Sequence, residues 1–277
     1  MKNGAIIINF NDSTRVINLV NKLSSFLLFS DIVVVDNASS KEDREALIGS
    51  LTCPNLHLVL NSTNKGFNQA VNDGLYFLAD RKVDTAFAIN SDVDVSKDTL
   101  QSLTFFLEKH KDYGAVSCPM IEGGVEKQMY YDFPTLHFEI TNDLGLVKLF
   151  HKKPTIREDH GDFIRVDFVR SSLVAFNMEA VEKAGYFDGG TFLYFGEAIM
   201  GLRLQKLGYK EACLIKPMYF HYHIYRHGYK KNGYRMNYRD SLYLFQHYYH
   251  VSKLGFFRLK VAYRIGYVIR ILFGVFR

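Results

Sequence analysis

The feature that most constrains this chain is a recurrence of short apolar runs that stop at Asn or Asp and give way to helical stretches. Residues 5–10 read AIIINF and are followed by Asn11, Asp12 and Ser13, which can cap a helix running to about Phe29. Residues 32–35 are apolar at every position, as a parallel strand covered on both faces requires, and they end at Asp36, Asn37, Ala38 and Ser39. The pattern continues with a strand over 56–60, a helix over 66–79, a strand over 85–89 and a helix over 96–109, whose apolar residues are Leu100, Leu103, Phe106 and Leu107. Alternation of this kind predicts an α/β fold with a mostly parallel sheet flanked by helices. Further strands are expected at 166–169 and 211–215, with a helix from about Gly196 to Leu207 closed by Gly208. Between Glu122 and Asp162 the periodicity is lost, and an irregular, partly mobile insertion is expected there.

In sheets of this type ligands sit beyond the carboxyl ends of the strands. The residues to search are therefore Asn9 to Asn11, Asp36, Asn61 to Gly66, and Asn90 to Asp94. Asp36 is placed where a carboxylate can accept hydrogen bonds from a ribose or base, and it equally suits an Asx turn. No GxGxxG follows the first strand and no GxxxxGK[ST] occurs, which argues against nicotinamide and flavin enzymes and against a P-loop. A nucleotide bound here would need a metal in place of a glycine-rich cradle. Asn90, Asp92 and Asp94 alternate after an apolar strand, so in extended backbone they point the same way. Hard cations such as Mg²⁺ or Mn²⁺ take carboxylates plus substrate phosphates. The same residues also suit an ordinary strand-to-helix loop.

With 277 residues, 48% of them hydrophobic, the chain can bury a sizeable core. Its three cysteines, Cys53, Cys118 and Cys213, lack CxxC spacing and read as buried thiols of a reducing compartment. The apolar run at the N-terminus is too short for a signal peptide, so a cytosolic protein is expected.

These stretches, taken in order, resemble the family 2 inverting glycosyltransferases, in particular bacterial ones that build O-antigen, capsule or rhamnose-containing polysaccharides. IIINFN is similar to the family's first strand, and VVVDNASS to the element whose Asp, here Asp36, contacts the nucleoside. LNSTNKGFNQAVNDG resembles the N-x-G-x-x-x-A-x-N-x-G pattern on Asn64, Gly66, Ala70, Asn72 and Gly74. AINSDVDV is similar to the metal-binding DxD element, with Asn90 in place of the first Asp and Asp92 as the position that would hold the cation. FDGGTFLYFGE, residues 187–197, resembles the acceptor-side element whose carboxylate acts as general base. Many members carry two acids there; here Gly196 precedes Glu197, so the base role falls to Glu197, with Asp188 in reserve.

The resemblance, over about residues 4–225, implies a GT-A-like (Rossmann-like) catalytic domain over 1–225, with a nucleotide-sugar half to about 118 and an acceptor half to about 225. It also implies a nucleoside-diphosphate sugar donor, UDP- or dTDP-linked, a glycan or lipid-linked glycan acceptor, and Mn²⁺ or Mg²⁺. Donor contacts would come from Asn9, Asn11, Asp36, Asn64, Lys65, Gly66, Asn68, Asn72, Asn90, Ser91 and Asp92. Metal ligands would come from Asp92 and Asp94 and from His221 or His223 of PMYFHYH, with His223 preferred on its spacing from Pro217.

Residues 226–277 are expected to form a helical appendage. Over 254–277 no uncharged run exceeds six residues, so a transmembrane span is not expected. Lys253, Lys260, Arg264, Arg270 and Arg277 share one face of a helix, with Arg258 off it. That suits an interfacial helix on the inner face of the cell membrane, and it equally suits packing on the catalytic domain or a homodimer. Nucleic acid is a poorer partner for these cations, because no zinc-finger, helix-turn-helix or RNP-type pattern accompanies them. A relative that keeps the fold but binds sugars without catalysis is the alternative left by Gly196.

Overall fold

The computed structural model describes residues 1–50, 53–146, 149, 153–222 and 229–275. The first half follows the alternation read from the sequence: β1 (Asn3–Asn9), α1 (Ser13–Ser25), β2 (Asp31–Asp36), α2 (Lys41–Ser50), β3 (Leu56–Leu60), α3 (Phe67–Asp80), β4 (Thr85–Ile89), β5 (Val93–Asp94) and α4 (Lys97–Lys109). Next come β6 (Tyr113–Ser117), β7 (Met120–Glu122), β8 (Val125–Lys127), β9 (Tyr130–Tyr131), α5 (Leu136–Asp143), β10 (Glu158–Asp159), β11 (Phe163–Val166), β12 (Phe168–Val169) and β13 (Leu173–Asn177). The chain continues through α6 (Met178–Ala184), α7 (Gly196–Lys206), β14 (Lys210–Leu214), β15 (Tyr219–His221), α8 (Tyr229–His247) and α9 (Lys253–Leu272).

A nine-stranded sheet in the order β10-β11-β14-β6-β13-β4-β1-β2-β3 forms the centre. The run β4-β1-β2-β3 is parallel throughout, and every residue of β2 is buried, because helices cover both faces. Helix α3 lies close on β1: a β-carbon at Gly74 would come within 2.5 Å of Ile6, so only glycine permits this approach. Cys118 and Cys213 are buried free thiols, as expected, whereas Cys53 is only half-buried; burial pushes the Cys213 thiol up to about 12.

Two expectations need correcting. The stretch 122–162 is not irregular over its described residues. It contributes the β7–β8 hairpin, β9, the helix α5 and β10, all too short to show a period. The single strand expected at 166–169 is broken at Asp167, whose carboxylate is turned inward to Arg157 (2.6 and 2.8 Å). The structure also contains β13, for which the sequence reading had no strand; it inserts antiparallel between β4 and β6.

Helices α8 and α9 pack on α5 and α7 through Leu244, Phe245, Leu259 and Ile199, a satellite core separate from the sheet. Asp240 of α8, fully buried, accepts from the backbone N–H groups of Phe192, Leu193 and Tyr194 at 3.0, 2.9 and 3.0 Å. One carboxylate thus holds three successive amides of the segment that leads into α7. Asp240→Ala should lower the unfolding free energy by about 3 kcal/mol in urea titrations, since buried donors lose their acceptor; Asp240→Asn, which keeps an oxygen, should cost less.

Candidate active site

At the carboxyl edge of β1 and β2 the polar side chains bind one another. Asn9 Nδ2 lies 2.9 Å from Asp36 Oδ1, 3.0 Å from Ser39 Oγ and 2.8 Å from Asp43 Oδ2. Asn11, in the left-handed region at φ 54°, accepts from the Ser40 N–H at 2.7 Å and fixes the first turn on the second. The buried Asp36 carboxylate also meets the Arg44 guanidinium at 2.6 Å, and Arg44 comes from α2, for which no helix was expected.

The next loop is closed in the same way. Asn64 Oδ1 accepts from the Gly66 N–H (2.9 Å) and from Asn37 Nδ2 (3.0 Å), and Lys65 pairs with Asp73 at 3.1 Å. Gly66 sits at φ 84°, with the Phe192 carbonyl only 2.3 Å from where a β-carbon would be. Asn68 Nδ2 donates to Thr191 Oγ1 at 2.7 Å, and Asn72 exchanges two hydrogen bonds with the backbone of Phe187 (2.8 and 2.9 Å). Both asparagines are buried and join α3 to the segment 187–195. Asn72 is thus engaged in holding the scaffold.

The acidic motif is built differently. Ser91 Oγ donates to Asp12 Oδ2 at 2.6 Å, tying the motif to the start of α1. A small four-stranded sheet, β5-β15-β7-β8, then brings three remote side chains together. β15 runs antiparallel to β5, with His221 opposite Val93, and parallel to β7, with Phe220 opposite Ile121. This register puts His221 between Asp92 and Glu122: Nε2 lies 3.2 Å from Asp92 Oδ1 and Nδ1 lies 3.5 Å from Glu122 Oε1. The Asp92 and His221 side chains are only 14% and 10% exposed, so they meet in a partly desolvated recess. Asp94 does not join them. It pairs with Lys22 of α1 and is 45% exposed. His223 lies outside the described residues.

Glu197 stands in the first turn of α7, where the helix dipole favours an acid. Ser171 Oγ donates to its Oε1 at 2.6 Å. The adjacent Ser172 accepts the Asn90 N–H on its carbonyl (2.9 Å) and shares a hydrogen bond with the Tyr219 hydroxyl (2.6 Å). Two neighbouring residues at the head of β13 therefore link the Glu197 carboxylate to the acidic motif and to β15. Gly196 packs closely on α3: a β-carbon there would come within 2.1 Å of Asn68 Oδ1, so the Asn68 amide would have to move. The residue before α7, Phe195, takes φ 63°, a conformation that costs a bulky side chain energy and is held by the packing around it.

Asp188 is occupied otherwise. It accepts from Gly190 N–H (2.8 Å), Tyr243 (2.8 Å), Arg203 (2.7 Å) and the Tyr248 hydroxyl. Burial pushes its carboxyl up, but the bonds from Tyr248, Gly190 and Tyr243 and the Arg203 charge outweigh that and hold it below the usual range. An acid so surrounded positions a loop.

Beneath Glu197 lies Glu211, fully buried on β14, which accepts from the Val169 N–H at 2.8 Å. Burial, reinforced by the nearby charges of Glu197 and Asp167, pushes its carboxyl up to about 8. Since the folded protein binds this proton more tightly than the unfolded chain does, stability contributed by neutral Glu211 is complete below pH 4.5 and is lost as pH rises to about 8. Glu211→Gln, which preserves the acceptor, should flatten the fall of the thermal midpoint across that interval; an unchanged slope would place the titration elsewhere.

The sequence model of "Glycosyl transferase family 2" matches residues 5–185. Among solved structures, GalNAc-T7 with UDP, GalNAc and Mn²⁺ aligns at 16% identity and TM-score 0.56, covering 80% of this chain and 44% of that one. This chain thus spans less than half the GalNAc-T7 chain. The mannosyltransferase PcManGT of Pyrobaculum calidifontis, with GDP-Man and Mn²⁺, aligns at 15% identity and TM-score 0.58 over 95% of this chain and 69% of its own. S. aureus TarS 1–349 in complex with UDP-GlcNAc aligns at 14% identity and TM-score 0.57 over 97% and 73%. No curated protein matches the sequence. At these identities the structural likeness concerns the fold.

Proposed function

The chain belongs to glycosyl transferase family 2, and we propose that it moves a sugar from a nucleoside diphosphate to a hydroxyl of a glycan or lipid-linked glycan, with inversion, using Glu197 as base. It is a glycosyltransferase of GT-A fold. The observation that carries the mechanism is the link at the head of β13, where Ser171 holds Glu197 and Ser172 holds the acidic motif. In the reaction the acceptor oxygen gives its proton to Glu197 and bonds to the anomeric carbon, while the bond from that carbon to the diphosphate breaks. Ser171, donating to Oε1, orients the carboxylate and leaves its other oxygen to receive the proton.

The residues around Asp92 fit Mn²⁺ or Mg²⁺. An oxygen and a nitrogen 3.2 Å apart match the spacing of about 3 Å between neighbouring ligands of one octahedral ion. Glu122 on the far nitrogen of His221 supplies the outer carboxylate that commonly orients a ligating histidine. Among the described residues no third His, Cys, Asp or Glu completes a cage, which suits an ion whose remaining ligands are diphosphate oxygens and water. Bound there, the cation would offset charge on the leaving diphosphate. The solved relatives with UDP and GalNAc, GDP-Man or UDP-GlcNAc support such a donor.

On this reading residues 1–225 carry the chemistry, with the donor half to about 118 and the acceptor half to about 225, while 226–277 form the appendage. UDP or dTDP is the expected nucleotide, and bacterial surface polysaccharide the expected product. Asn9, Asp36, Asn64, Asn68 and Asn72 then act through the scaffold they close, and the Asp36–Arg44 pair has to part for a nucleoside to reach the carboxylate.

The test is thermal stability against a panel of nucleoside diphosphates with and without Mn²⁺. One diphosphate at 100 times its Kd should stabilise by about 2.7 kcal/mol, only with metal, and not in Asp92→Ala. Glu197→Gln should keep that response yet lose about 10²–10⁴-fold in turnover. Absence of any diphosphate response would defeat the donor site and leave a non-catalytic relative as the reading. In Mn²⁺ titrations without nucleotide, Glu122→Gln should weaken binding about tenfold; unchanged affinity would show that Glu122 does not orient His221.

A further inference from the structure

Helix α9 has two opposed faces. Gly255, Leu259, Ala262 and Gly266 are buried against the body, and a β-carbon at Gly266 would lie 2.0 Å from the Asp143 carbonyl of α5. Arg270 turns the same way, donating to the carbonyls of Asp143 (2.7 Å) and Asn142 (3.1 Å), so it is not on the outer face expected for it. On the far side Phe257, Val261, Ile265, Val268 and Leu272 are exposed, Phe257 at 62% and Leu272 at 76%. At 100° per residue this stripe spans an arc of roughly 80°. Lys253, Lys260 and Arg264 border it on one side and Arg258 on the other, and no acid occurs between Lys253 and Val275. A groove of about 240 Å³ opens beside it, between Phe257, Val261 and Ile265 of α9 and Ile140 of α5 with the following Leu144.

We propose that this face of α9 lies in the interfacial plane of a membrane containing anionic lipids, with the stripe and groove toward the acyl chains and the bordering cations at the headgroups. The charge selects the occupant. Apposing this face to a second copy of itself would bring two unbalanced cationic borders together, whereas anionic headgroups neutralise them. Among the described residues no helix is long and apolar enough to cross a membrane; the proposal lays α9 along the surface, as suits a helix with an apolar stripe bordered by cations. The inference does not depend on the donor chemistry and can fail without it.

The full chain is pelleted with vesicles of phosphatidylcholine alone and of phosphatidylcholine mixed with phosphatidylglycerol. It should sediment with the mixed vesicles only, less so as salt is raised. The exposed pair K260E/R264E should lower partitioning about tenfold or more, as should F257S/L272S, with the thermal midpoint and the response to nucleotide unchanged. Undiminished binding by K260E/R264E, or no binding to either vesicle, overturns the proposal. Light scattering that shows a dimer dissociated by F257S would assign the face to a second copy instead.

Discussion

Strand β13 is the element on which the site depends. It enters antiparallel between β4 and β6, where a parallel strand would carry its head to the opposite edge of the sheet. Because it runs backwards, its first residues stand beside the carboxyl ends of β4 and β6, and Ser171 and Ser172 meet the polar ends of their neighbours. Ser172 takes the Asn90 N–H and the Tyr219 hydroxyl, while Ser171 takes Glu197. Glu197 and the acidic motif are about a hundred residues apart in the chain, and one inserted strand makes them parts of one edge.

The first half of the fold was legible because β1, β2 and β4 are buried on both faces and must be apolar throughout, which leaves a signal in any window. β13 carries a similar apolar core, LVAFN, yet nothing local distinguishes that run from part of a helix. α2, with Leu47 alone buried, has too narrow an apolar face to be seen. The site divides in the same way. Asp92 stood out as an acid directly after an apolar strand, whereas Glu197 was reached only through the family resemblance of residues 187–197. The part of Glu122 could be read in neither way, since it follows from a three-strand register that no sequence spacing encodes. Between His221 and His223 the spacing from Pro217 pointed to the latter, while the pairing of β15 with β5 and β7 puts His221 beside Asp92.

The asparagine-rich loops show what a motif reading conflates. Residues at strand ends have backbone groups that the ladder no longer satisfies, and short amides answer that need as readily as they would answer a ligand's. In helix α3 the same chemistry recurs: Asn72, bonded twice to Phe187, and Asn68, bonded to Thr191, connect that helix to the segment 187–195. Gly196 belongs to the same arrangement, for the amide of Asn68 fills the space that a second acid would take. The single carboxylate at the start of α7 thus goes with close packing from α3.

Helices α8 and α9 bear on this site through buried hydrogen bonds and packing. Asp240 and Tyr243 of α8 hold the segment 188–194 by backbone amides and by Asp188, directly before the left-handed Phe195 and Glu197. Helix α9 is seated on α5 through Gly266 and Arg270 and shares a core with α8 and with Ile199 of α7. Helices α9 and α7 are therefore joined through packed side chains and buried carboxylates. On the proposals that α9 lies on a membrane and that Glu197 is the base, a surface that fixes α9 would also fix the segment 187–195, and with it the direction from which a lipid-carried hydroxyl would approach Glu197.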